Sequence, residues 1–188
     1  MTAYFALLGL VAVERMFELF LSRRNAARAF RQGGVEVGAS HFGWMRLLHT
    51  GFLVSCALEV VLFHRTFDPR LGIPMVVVAL LAQGLRYWAI ATLGPRWNVR
   101  VIACPGVPVT TSGPYRWVRH PNYLAVVLEG VAIPLVYGAW WTALVFSALN
   151  AWLLRVRIGV EERALTEHCE FGERLGDRPL LVPLRGAR

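Results

Sequence analysis

Residues 113–154 read GPYRWVRHPNYLAVVLEGVAIPLVYGAWWTALVFSALNAWLL. Two apolar runs, 123–137 and 140–154, are separated by Gly138 and Ala139 alone. Runs of this kind approach the roughly 20 apolar residues that carry a helix across a bilayer core. Their short connection makes them a tight helical hairpin, and the second arm continues as a charged helix through Arg163. Pro121 suits the first helical turn, where its missing N–H is not needed, which sets His120 at or beside the N-cap. Pro134 is expected to kink or thin the first arm near its end.

Three more apolar runs, 3–21, 44–63 and 72–93, precede the hairpin. The fold class expected is all-α: a polytopic integral membrane protein of about five transmembrane helices, because lipid offers no partner to open backbone groups. Composition agrees. Of 188 residues 56% are hydrophobic and 17% charged, against about a quarter charged in soluble domains, and the mean hydropathy is +0.47. The chain divides into a three-helix part, 1–93, and a part, 94–188, that holds a long polar loop, the hairpin and a charged tail.

The net charge is +8, but the arginines cluster at the ends of apolar runs. They form no basic face with interleaved aromatics, which argues against nucleic acid as a partner. The first loop carries Arg23, Arg24, Arg28 and Arg31 against Glu36. The third carries Arg96, Arg100, Arg116 and Arg119 with no acid. The positive-inside rule puts these loops and the tail in the cytoplasm and the N-terminus outside. A water-soluble cosubstrate would enter at the Gly/Pro-punctuated stretch 94–121, so the pocket is expected on the cytoplasmic side. Cys56, Cys104 and Cys169 form no CxxC pair and no cluster with metal spacing, so no metal site or disulfide framework is expected. Glu14, Arg15 and Glu18 interrupt the first run and no Ala-x-Ala-like site follows, so no cleavable signal peptide is read.

The chemistry concentrates in two places. Tyr115, His120 and Tyr123 offer aromatic faces together, beside which a sulfonium cation gains cation–π attraction. Arg157 and Glu161, four apart, share a helix face, with Arg155 and Glu162 elsewhere on the surface. A carboxylate there can accept hydrogen bonds from a ribose or an amino group. An Arg one turn deeper can orient an anionic oxygen. Glu129 sits mid-segment, where an unpaired charge costs several kcal/mol; it is either a base or a structural partner of an Arg, a His or Asn150. Glu14, Arg15 and Glu18 read as an ion-pair seam, His49 as a core histidine or a proton acceptor, and Glu59 as a snorkelling residue near the outer end. The tryptophans near segment ends read as interfacial anchors, except Trp97 beside Asn98.

The run GPYRWVRHPNY, followed one hairpin later by Arg-x-x-x-Glu-Glu, resembles the isoprenylcysteine carboxyl methyltransferase family of membrane enzymes over residues 97–171. The resemblance implies S-adenosylmethionine (SAM) as cofactor. It implies that Tyr115, His120, Pro121, Asn122, Tyr123 and Glu161 line its pocket, that Val107, Pro108, Val109 and Thr110 wrap it with backbone groups, and that Arg157 contacts the acceptor. Arg100 or Ile102 would fill a further upstream position. The Glu14-Arg-x-x-Glu18 pair, Arg23-Arg-Asn25, residues 34–38, His41, His49, Trp97-Asn98 and Glu129 resemble a bacterial branch associated with type III polyketide synthases. That branch acts on oxygen of long-chain alkylresorcinols or alkylpyrones; it usually has a Pro where this chain has Gly159.

These expectations make the chain a methyltransferase of the bacterial inner membrane with a lipophilic small-molecule acceptor, membrane lipid around it and a type III polyketide synthase as associate. An alkylpyrone arrives ionised and needs only Arg157 to hold it. A resorcinol calls for a base such as Glu129 or His49. The alternatives are an isoprenylcysteine-type carboxyl or phospholipid N-methyltransferase, and an NADPH-dependent membrane reductase.

Overall fold

The computed structural model describes residues 1–169 and 171–181, with the side chains of residues 39–41, His41 among them, outside the description. Five substantial helices follow one another: α1 Thr2–Arg31, α2 Ala39–Leu62, α3 Pro69–Leu93, α4 Pro121–Leu135 and α5 Trp140–Cys169. A single turn, α6 Phe171–Leu175, comes after them. At about 1.5 Å per residue, a helix of the 30 residues found in α1 and in α5 outruns a hydrocarbon layer about 30 Å thick. Both therefore carry polar extensions.

Among the described residues, three helices are long and apolar enough to cross a membrane, at Phe42–Leu62, Pro69–Arg96 and Trp140–Cys169. The expected count of five is thus met in three. The 15-residue α4 is apolar but short, and Glu14, Arg15 and Glu18 break the apolar stretch of α1.

Local chemistry accounts for the ends. The Asp68 side chain accepts from the Arg70 N–H at 2.9 Å and caps α3, whose first residue is Pro69. Glu59, expected to snorkel, is buried and turned inward. It accepts from the backbone N–H of Trp141 at 3.2 Å and of Thr142 at 2.7 Å. A carboxylate from α2 thus caps the N-terminus of α5, where orphan donors and the helix dipole favour an anion. The hairpin turn is slightly longer than read, 136–139, with Gly138 at φ +65°. Gly130 lets α4 meet α5, because a Cβ there would overlap the Phe146 ring.

A two-stranded antiparallel sheet corrects the all-α expectation: β1 Val35–Val37 pairs with β2 Val101–Ala103 in the register Glu36↔Ile102. Strands of three residues inside loops are too short to show an alternating pattern. Val101 and Ala103 pack with Ala164 and Cys169, which ties both loops to the extension of α5.

The main core joins Tyr4 and Leu8 of α1, Phe52, Cys56 and Val60 of α2, Ile133 of α4 and Phe146 of α5. It lies at one end of the bundle. Towards the other end, where α1 finishes and α4 begins, the helices part around a cavity.

Candidate active site

The cavity measures about 840 Å³ and is continuous from the loops down between α1, α2 and α3. Its loop-side wall is made by 107–110. These residues are held by Gly106 N–H to His168 O at 3.2 Å, Val109 N–H to Cys169 O at 3.2 Å and Arg96 Nη1 to Pro108 O at 3.0 Å. A 3-10 turn, Gly113–Arg116, then presents Tyr115. The turn needs Gly113, at φ +56° and against the Thr92 side chain. Burial, ahead of nearby Glu161, pushes the Tyr115 phenol above its ordinary range, so it remains a donor.

Pro121 opens α4 as expected. It is buried beneath the wall and sets the direction of Asn122 and Tyr123, which do line the cavity. The His120 ring stacks on Tyr123 with centroids 5.3 Å apart. The Tyr123 hydroxyl donates to Glu161 Oε2 and accepts from Arg157 Nε at 2.7 Å. Arg157 Nη2 also donates to the Val99 carbonyl. One phenol therefore fixes both ends of the Arg157/Glu161 face. Three buried polar atoms of this compartment lack a partner among the described residues: Trp97 Nε1, Thr110 Oγ1 and Asn122 Oδ1. Buried polar groups are nearly always satisfied, yet these atoms keep hydrogen-bonding capacity that no described protein group uses.

Several contributors escape a sequence reading. Glu162, read as lying elsewhere on the surface, accepts from Arg119 Nη1 at 2.9 Å and lies 3.0 Å from His120 Nε2. Arg178 donates to the Thr111 and Tyr115 carbonyls, and 119–120 take backbone bonds to Pro179 and Leu180. The tail straps the loop, a long-range pairing that no local motif announces.

The structure separates the other expected catalytic residues from this layer. Glu129 lies six residues beyond Tyr123, about 9 Å along α4, and is not among the cavity-lining residues. Its oxygens bond Arg86 Nε at 3.1 Å and Arg86 Nη2 at 2.7 Å, with Arg15 Nη2 at 3.4 Å. Of its two readings, the geometry is that of the structural partner, and of the partners expected it is an Arg, Arg86, and not Asn150. Arg15 bonds Glu18 at 2.8 Å, as the seam predicted. Glu14 accepts from Gln83 and Tyr87. His49 Nδ1 lies 2.8 Å from the Met45 carbonyl, an acceptor, so that nitrogen donates.

Arg15, Glu18, His49 and Arg86 all line the cavity. They form a charged floor beneath an apolar chamber walled by Met16, Leu19, Met45 and Leu53. Met16, 70% exposed, and Val54, 51% exposed, border the same cavity, which thus opens sideways between α1 and α2.

The class that the fold and site define is a helical membrane protein in which a polar, aromatic-lined compartment joins a laterally open apolar chamber. The family model of that class that matches is "Isoprenylcysteine carboxyl methyltransferase (ICMT) family", over residues 75–167. Relatives include YpbQ of Bacillus subtilis (strain 168), an uncharacterized protein 39% identical over 166 residues, covering 88% of this chain and 98% of the relative. Another is an uncharacterized protein of Haemophilus influenzae (strain ATCC 51907 / DSM 11121 / KW20 / Rd), 26% identical over 153 residues, covering 81% and 88%. The chain belongs to the isoprenylcysteine carboxyl methyltransferase family. Membership implies a membrane methyltransferase.

Proposed function

We propose that the protein transfers the methyl group of SAM to an oxygen of a lipophilic acceptor, a long-chain alkylpyrone or alkylresorcinol. The observation that carries this reading is the single cavity that runs from the orphan polar atoms around Tyr115 and Asn122 to the lateral opening at Met16 and Val54. The residues present fit SAM. Tyr115, His120 and Tyr123 supply faces for a cation, the Glu161 carboxylate suits ribose or amino donors, and Thr110 and Asn122 have hydrogen-bonding capacity unspent. When bound, SAM supplies the activated methyl group, and the protein supplies position and electrostatics.

Arg157, held by Tyr123, orients the acceptor oxygen and stabilises its anionic form. A base must lie within hydrogen-bond reach of the proton it takes. Arg15, Glu18, His49 and Arg86, a layer deeper, instead make a polar floor that repels an alkyl tail and turns it out between α1 and α2, with Glu129 held behind it by Arg86. An acceptor oxygen that arrives ionised, as in a 4-hydroxypyrone, suits this arrangement best. The same reading places the chain in a bacterial inner membrane with the N-terminus outside and the pocket cytoplasmic, alongside a type III polyketide synthase as source of the acceptor.

The test is calorimetry of SAM binding to the purified protein in detergent, with NADPH as control ligand. Saturable SAM binding that is lost in Glu161→Ala supports the reading. NADPH binding in place of SAM moves the reductase alternative to the front.

A further inference from the structure

A second concavity of about 730 Å³ lies outside the active site, between the ends of α1 and α3. Arg24, Arg28 and Arg31 line it from α1. Spaced at i, i+4 and i+7, they share one helix face. All three are exposed, and none makes a hydrogen bond or ion pair among the described residues. Arg23, on another face, takes no part in the lining. The remaining wall is apolar on the α3 side, with Ile90, Ala91 and Pro95 from the end of α3 and the turn after it, and mixed on α1, where Leu21 stands with Asn25 and Gln32.

Two observations set its height. Trp88, within a turn of Ile90, meets Trp117 edge-on with centroids 5.3 Å apart, and both are nearly half exposed. Exposed indoles of this kind collect at the membrane–water boundary. Phe17, 64% exposed, continues the Arg24–Leu21 face one turn further into the apolar part of α1. The groove therefore offers guanidiniums on the water side and hydrocarbon surface directly beneath them.

We propose that this groove binds the headgroup of an anionic phospholipid, with its phosphate on Arg24, Arg28 and Arg31 and its acyl chains along Leu21 and Phe17. Guanidiniums match phosphate oxygens in pairs, and the apolar wall selects a lipid over a free anion. Charges that served only to set topology would need neither a shared face nor a concave apolar partner. Arg28 and Pro95 also border the active-site cavity, so the bound lipid stands at its mouth.

The experiment is native mass spectrometry of the protein released from nanodiscs of phosphatidylcholine with phosphatidylglycerol, counting retained lipids. Wild type retains phosphatidylglycerol preferentially. Arg24→Gln with Arg31→Gln lowers its retention by about fivefold per residue, the factor equal to about 1 kcal/mol. Arg23→Gln with Arg70→Gln, the same charge change outside the groove, leaves retention unchanged. Ala91→Trp, which fills the groove without altering charge, reproduces the loss. Equal losses from both arginine pairs would overturn the proposal in favour of bulk charge. Full displacement by inorganic phosphate would overturn it in favour of a free-anion site.

Discussion

Arg86 of α3 and Glu129 of α4 meet side-on inside the bundle, with Nε–Oε1 at 3.1 Å and Nη2–Oε2 at 2.7 Å. Arg86 also reaches Glu18 of α1 at 3.6 Å, and Arg15 reaches Glu129 from α1 at 3.4 Å. Two arginines thus hold two carboxylates on three helices. Removing one partner of such a buried pair leaves an uncompensated charge and costs about 3–5 kcal/mol. Arg86→Ala should lower the midpoint of thermal unfolding in detergent sharply. Glu129→Leu combined with Arg86→Met should recover much of the loss. If Glu129→Gln abolished turnover while leaving stability untouched, the carboxylate would be a base after all.

At the site itself, Tyr123→Phe removes the oxygen that accepts from Arg157 and the hydroxyl that donates to Glu161. A hydrogen bond to a charged group contributes about 1.5–3 kcal/mol, so kcat/KM should fall by about ten- to a hundredfold with the fold intact. Steady-state kinetics with an alkylpyrone acceptor reads this directly.

Arg157 and Glu161 should separate by role. Glu161→Ala should weaken SAM binding at least tenfold by calorimetry. Arg157→Ala should lower turnover while SAM affinity is largely kept. Loss of SAM affinity alone in Arg157→Ala would reverse the assigned roles.

Glu59 stands far from these residues and caps α5 through the Trp141 and Thr142 N–H groups. Its replacement by Ala should cost about 1–2 kcal/mol, the range of a lost N-cap. KM and kcat at a temperature well below the midpoint should not change.

The lateral opening makes a prediction about chain length. Val54→Trp or Met16→Trp should narrow the gap between α1 and α2 and raise KM for a long-chain acceptor. A short-chain analogue should be affected far less, and SAM affinity should be unaltered. Equal effects on both acceptors would point to access by another route.

Much of this was legible in the residues. Hydropathy placed the five helices, three of them long and apolar enough to cross a membrane among the described residues, because hydropathy is a local property of each run. Pro121 and the Gly138-Ala139 junction marked the hairpin, and the GPYRWVRHPNY run pointed with Arg157 and Glu161 to residues that meet at one cavity. Tertiary structure decided the partners. Glu129 could be assigned to Arg86, 43 residues away, only once α3 and α4 were packed together. Glu59 became a helix cap because α2 ends beside the start of α5. The strap formed by Arg178 and the pairing of β1 with β2 join segments whose own sequences are too short to carry a signal. A helix is written by neighbours along the chain. An ion pair, a cap or a cavity depends on which faces meet, and that follows from the packing of the whole bundle.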